Sequence, residues 1–443
     1  MYKQFTTNIT PFGGLTAVNT KISHDKLQSF INQQIGKRHP RAKYSYADII
    51  LSLVYTTLAG GSAVEDTKHL TKTTLRFFDN ISAPSPDVIL RGLKELATQP
   101  TYLKTPTTIN KIVSNDKLNK FLLRSILKLN LLEDTQKVVL DFDSVFLATE
   151  KYDAEWSYKK QKGYFPSVAS INDLPFYIEG RNGNVNPKTE QLANIEKIFE
   201  LLERNSNIRI SSVRMDSAFY NVAIASYLAE KKVPFYIRAI QSGSLLMEAA
   251  SNLNWQKAEI NYQEMEVTAF PYKFGKHTFK MIAYRFETKE KQLSLFTGDA
   301  KTYLFLLTND PNILAPEGKI EDPALKKKEK KAIIKAIKFY NQRGNNEKLF
   351  DKLKNDFNWK RMPYSFLEEN VVYLAIMAFA YLVFQYLLRF FSKVIDGLDL
   401  RARLKKFIFK VINIVAKFTR SGRRKIIHLA TPNKELISLL NSL

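Results

Sequence analysis

Apolar residues recur at three- and four-residue spacing through the first 130 or so positions, the period of helices that bury one face. YADIILSLVYTTLAGG (residues 46–61) and PDVILRGLKELAT (86–98) show it best. Pro86 followed by Asp87 marks a helix start, and Gly60–Gly61 marks a stop after the earlier helix. Near Lys137 the pattern changes. VVLDFDSVFL (138–147) alternates as a strand entering a core should, placing Asp141 and Asp143 on the same face. GYFPSVAS and LPFYIEG read as two more strands, a helix runs from about Lys188 to Arg204, and NIRISSVRMD is a strand ending at Asp216. AFYNVAIASYLAEKK then predicts a helix and VPFYIRAI a strand.

Three strands followed by helix, strand, helix and strand is the order of an RNase H-like core, an α/β mixed sheet. From about residue 241 to 325 the period of two returns in MEVTAF, TFKMIAYRF and TYLFLLTND, which reads as an inserted β-rich subdomain. The expected organisation is a helical DNA-binding region over 1–130, a catalytic domain over 131–390 containing that insertion, and a basic helical region over 391–443. Val371–Leu388 is apolar enough to resemble a membrane span, but its length is at the lower limit, and it reads as the buried central helix of a large domain.

Charge changes the picture. Across 443 residues, lysine and arginine number 67 against 43 acidic residues, a formal net charge of +24. Such a field points to nucleic acid as partner. Basic clusters at GKRHPRAK (36–43), around Lys68, Lys72 and Arg76, and in the KKKEKK run fit phosphate contacts. There is no cysteine, which excludes disulfides and thiolate metal sites, and the five histidines lack ligand spacing. A metal here would be a hard ion held by carboxylate oxygens. With no signal-peptide pattern at the N-terminus, the expected location is the cytoplasm, associated with the nucleoid.

The candidate chemistry rests on three carboxylates. Asp143 and Asp216 each end a strand-like run, and Glu347 lies in a register with Tyr340, Arg343 and Lys354. At about 100° per residue, one continuous helix projects those four side chains within about 60° of each other. Carboxylates from two strand ends and one facing helix suit two-metal-ion phosphodiester chemistry, which requires ions roughly 4 Å apart. Asp141 competes with Asp143 for the first position. Arg343 suits a bidentate phosphate grip, Lys354 a mobile positive charge, and Tyr340 a base or phosphate contact. Trp255 and Trp156 are candidates for stacking on bases, Trp255 from the inserted β region.

These residues resemble a known family. PSPDVILRGL, LDFDS, GYFPS, RNGNV, VRMDSAF, YNQRGNNEKLFDKLK and MAFAYLVFQYLLR together resemble the bacterial insertion-sequence DDE transposases with the Y-R-E-K signature, more narrowly the insertion-sequence family thirteen-eighty. The resemblance spans nearly the whole chain. It implies an RNase H-like domain interrupted by a β-strand insertion, two Mg²⁺ or Mn²⁺ ions on Asp143, Asp216 and Glu347, and DNA-end contacts from Tyr340, Arg343 and Lys354. It further implies cleavage at terminal inverted repeats and joining of the 3′ ends to target DNA. Pairing two ends implies a dimer in the active complex. Three other readings are a domesticated DNA-binding protein that no longer cuts, a membrane-associated protein using Val371–Leu388, and a nuclease of the same fold without strand transfer.

Overall fold

The computed structural model describes residues 8–104, 108–132, 137–287, 299–422 and 424–443. Its centre is an eleven-stranded mixed sheet. In chain order the strands are β1 (Thr101–Lys104), β2 (Ile109–Ser114), β3 (Lys137–Ser144), β4 (Ser167–Ile171), β5 (Leu174–Arg181) and β6 (Arg209–Met215). They continue with β7 (Phe235–Arg238), β8 (Gln256–Ile260), β9 (Gln263–Phe274), β10 (His277–Glu287) and β11 (Lys301–Thr308). Their spatial order is β8-β9-β10-β11-β7-β6-β3-β4-β5-β2-β1. Only β3, β6 and β7 run parallel to one another; every other pairing is antiparallel.

Parallel neighbours need crossover helices, and the expected ones are present. Helix Gln191–Asn205 links β5 to β6, and helix Val222–Glu230 links β6 to β7. The β-rich run after residue 241 does not form a sheet of its own. Its last strand, β11, pairs antiparallel with β7 through Tyr236 and Thr308, so the region extends the central sheet at one edge. Residues 288–298 of that region lie outside the described residues.

The apolar segment near residue 371 lies within a 25-residue helix, Leu367–Phe391, and 89% of its most hydrophobic window is buried. It packs on β5 and on helix Asp116–Lys128. A side chain at Gly180 of β5 would meet Val371 Cγ2 at 2.1 Å, so glycine is what lets helix and strand come this close. Helix Asp116–Lys128 is pinned to the same strand by Asn119, whose carboxamide oxygen accepts the Ile178 N–H at 2.9 Å. A second, smaller core lies at the other end of the sheet. There the stripe Ile333, Ile337 and Tyr340 of helix Pro323–Asn341 covers Tyr236, Val267 and Leu306.

The N-terminal helices form where their signals predict. Ser45 and Asp48 make a capping box ahead of Tyr46–Leu58, the chain leaves that helix through Gly60 at φ +91°, and Pro86 opens the helix to Lys94. Two expectations of helix need correction. Residues 101–104 and 109–114 form the antiparallel pair β1 and β2 on the sheet edge, although they fall in the helical N-terminal region. The basic runs FTRS and RKIIH lie in a hairpin, Ala416–Ser421 with Arg424–Leu429, and Ile9–Thr10 adds a third strand to it. Ala416 and Phe418 alternate inward from that strand, and Phe418 stacks on Phe77 with ring centres 4.0 Å apart. Gly422 makes the turn at φ +61°. The density of lysine and arginine masks this period of two when the sequence is read alone.

Candidate active site

Because β3 and β6 are parallel neighbours, they release their next residues side by side. The register pairs Arg214 with Asp141 and Met215 with Phe142, which brings Asp143 and Asp216 out at the same end of the sheet. Local hydrogen bonds fix both carboxylates. Asp143 Oδ1 accepts the Ser144 N–H at 2.8 Å. Asp216 caps the short turn Ser217–Phe219, its Oδ1 accepting the Ala218 N–H at 2.9 Å.

Their remaining oxygens share one cation. Arg343 Nη2 lies 2.6 Å from Asp143 Oδ2 and 3.8 Å from Asp216 Oδ2. Arg343 sits in the break between helix Pro323–Asn341 and helix Gly344–Asn355, so the register Tyr340–Lys354 is not one continuous helix. Gly344, Asn345 and Asn346 explain the break, being poor formers of a helix interior. Asn346 turns the second helix onto the sheet: it is buried, and its Oδ1 accepts the Ser170 hydroxyl of β4 at 3.1 Å.

Arg343, Glu347 and Lys354 nevertheless line the same cleft as Asp143 and Asp216, a space of about 1160 Å³. Glu347 is exposed in the first turn of its helix, where a carboxylate is favoured by the helix dipole. Tyr340 does not reach the cleft. It is buried, and its hydroxyl donates to the Met215 carbonyl at 3.2 Å, bracing the end of β6 next to Asp216. Burial pushes the Tyr340 phenol up to about 12.

Asp141 and Asp143 are separated clearly. Asp141 is wholly buried and held by Arg214 at 2.7 and 2.5 Å, and Arg214 also donates to the Phe339 carbonyl at 2.9 Å. That pair ties the sheet to helix Pro323–Asn341 and lies outside the cleft. Trp255 is also placed away from it: its indole donates to the Ala249 carbonyl and its ring carries the Arg285 guanidinium at 4.1 Å. Trp156, by contrast, is 61% exposed on a small sheet whose connecting turn contributes Tyr158 and Lys159 to the cleft wall. Lys159, Asn184 and Lys188 also line the cleft and were not singled out from the sequence. Their signal was weak: Lys159 and Lys188 lie outside GYFPS and RNGNV, and Asn184, within RNGNV, carries no charge to mark it.

The electrostatics are those of a crowded carboxylate site. Burial raises Asp143 to about 6; Arg343 opposes the shift and Asp216 adds to it. Arg343 is pushed up by the carboxylates despite its burial. Lys354 is pushed down by burial and by the like charges of Lys360 and Lys159. Among the described residues, no three His, Cys, Asp or Glu side chains converge closely enough to hold a metal ion. The donors present still suit a hard divalent ion. Two carboxylate oxygens already share one positive group, and Glu347 lines the same space.

Residues 6–442 match the family described as transposase DDE domain group 1. The chain belongs to that family. Membership in the transposase DDE domain family carries a DDE-transposase-like function in general, with divalent-metal dependence and DNA as the partner the family implies. No curated protein matches the chain.

Proposed function

We propose that this family member is an insertion-sequence transposase of the Y-R-E-K group, with an RNase H-like catalytic core, acting in the bacterial cytoplasm. It cleaves DNA at the terminal inverted repeats of its own element and joins the 3′ ends to target DNA. The strand order β5-β4-β3-β6-β7, with β3, β6 and β7 parallel, supports the RNase H-like reading. The observation that carries the function is the pairing of Asp143 and Asp216 on one cation in a cleft also lined by Glu347 and Lys354.

Asp143, Asp216 and Glu347 would hold two Mg²⁺ or Mn²⁺ ions, which when bound supply charge stabilisation for an in-line displacement at phosphorus. The chain's own residues do the rest. Arg343, with a buried Nε that has no partner among the described residues, is placed to grip a phosphate of the DNA end. Lys354, Lys159 and Lys188 add positive charge along the path. Tyr340 acts by positioning, holding the end of β6 from which Asp216 projects. Joining two ends in one event requires two such sites, and so a dimer on DNA.

The test is to incubate the purified protein and Mg²⁺ or Mn²⁺ with a plasmid carrying the DNA that flanks its own gene. Metal-dependent cuts at the element's ends, with strand-transfer products, support the proposal. Cuts without joined products would leave a nuclease of this fold. Tight end binding without cutting in either metal would leave a DNA-binding protein that no longer cuts.

A further inference from the structure

Helix Gly344–Asn355 has a second cleft on its other side. It encloses about 1090 Å³, and Glu347 lines both it and the candidate active site. Five basic residues line it, Lys348, Lys352, Arg389, Arg401 and Arg403, against three acidic ones, Asp173, Glu347 and Asp351.

Two of these cations are fixed by the protein. Arg403 pairs with Asp351 and, at 2.8 Å, with Asp356; Arg389 donates to the carbonyls of Asn130 and Leu131. Two others are left over, since Lys352 and Arg401 make no ion pair among the described residues. Lys352 is pushed down chiefly by burial, with the Arg403 and Lys348 charges adding to the shift and Asp173 and Asp356 opposing it from beyond ion-pair distance. Gln385, at the cleft wall, has a buried side-chain nitrogen with no partner among the described residues. Cations held together with spare hydrogen-bond donors make a site that an anion completes.

We infer that this second cleft holds the phosphodiester backbone of a second DNA segment, on the opposite side of helix Gly344–Asn355 from the transposon end. The inference rests on the transposase reading, because joining brings two DNA segments to one set of carboxylates. Glu347, common to both clefts, stands where the two paths meet. The second segment is either target DNA or the flank beyond the cut, both presenting the same phosphate chemistry.

The experiment uses the full chain and follows fluorescent duplexes by anisotropy across a salt series. One arm adds a target duplex to protein saturated with a precleaved end; the other compares ends with and without a flank. The variant is Lys352→Ala with Arg401→Ala, alongside Lys354→Ala in the first cleft and Arg401→Ala alone to guard against a folding defect at the half-buried Lys352. Removing two phosphate contacts should lower the log–log salt slope for the second segment by about 2, and Arg401→Ala alone by about 1. Lys354→Ala should instead act on the precleaved end. A loss confined to the target arm assigns the cleft to target DNA; a loss confined to the flanked end assigns it to the flank. Wild-type slopes in both arms, or equal losses for end and second segment, would overturn the inference while leaving end cleavage intact. A wild-type protein that neither binds nor cuts its ends would overturn the transposase reading with it.

Discussion

The guanidinium of Arg343 lies 2.6 Å from the carboxylate of Asp143 and reaches toward Asp216, so an arginine occupies the cation position between the two strand-end carboxylates. A divalent ion and this side chain compete for the same oxygens. DNA can relieve the competition, because a phosphate offers Arg343 a better bidentate partner than the shared pair does.

Arg343→Gln should therefore split two properties that normally move together. Mn²⁺ affinity of the protein without DNA, measured by calorimetry, should rise about tenfold, equivalent to ~1.4 kcal/mol of competition removed. Cleavage of end DNA should fall at the same time. Unchanged Mn²⁺ affinity would mean the arginine does not guard the site.

The raised Asp143 acid gives a pH signature. Its ordinary value is 3.8 and in the fold it rises to about 6, so between those values the folded state binds more protons than the unfolded one. Stability contributed by this group therefore falls as pH rises from about 4 to about 6 and stays reduced above that. Asp143→Asn should melt higher than wild type at pH 7.5, with the gap closing at pH 5. The same titration predicts that Mn²⁺ binding weakens below about pH 6, as Asp143 takes a proton.

Burial raises the Asp141 acid too, but substitution there should cost stability. Breaking its buried pair with Arg214 leaves an uncompensated charge, so Asp141→Asn should cost about 3–5 kcal/mol in denaturant unfolding. If Asp141→Asn folds with wild-type stability and only cleavage is lost, the roles assigned to the two aspartates are reversed.

The two tryptophans separate by exposure. Trp156→Ala should weaken binding of end DNA with unpaired terminal bases by about 1–3 kcal/mol if the ring stacks on a base, and should leave the melting temperature unchanged. Trp255→Ala should lower the melting temperature instead, because its ring packs against Tyr303 and Arg285. Filter binding and thermal unfolding of both variants check the pair.

The core of the fold was readable because its strands are short apolar runs ending on polar residues at the intended chain positions. Asp143 and Asp216 stood out for that reason, as did the buried helix around Val371. Other features depend on neighbours remote in sequence. That Tyr340 faces the core, and not DNA, follows from the stripe Ile333, Ile337 and Tyr340 packing on β7 and β11, which no local pattern distinguishes from a solvent-facing register. The break at Arg343 was foreshadowed by Gly344 and two asparagines, but its consequence, a guanidinium between two carboxylates, required the strand register. The C-terminal hairpin was hidden because its inward residues, Ala416 and Phe418, are few, and its exposed ones mix Arg420, Arg424 and Lys425 with Ile426 and Ile427 so that no alternation shows. Lys352 and Arg401 carry no motif; only the fold places them across one cleft.

Iron-directed cleavage of the polypeptide tests whether Asp143, Asp216 and Glu347 share a metal. Fe²⁺ loaded onto the end-bound protein and exposed to ascorbate and peroxide generates radicals that cut the chain beside the ion. Cuts should cluster near residues 143, 216 and 347, be suppressed by excess Mg²⁺, and be lost in Asp143→Asn and Asp216→Asn. Cuts that map elsewhere, or that persist at the same positions in both variants, would contradict a shared metal.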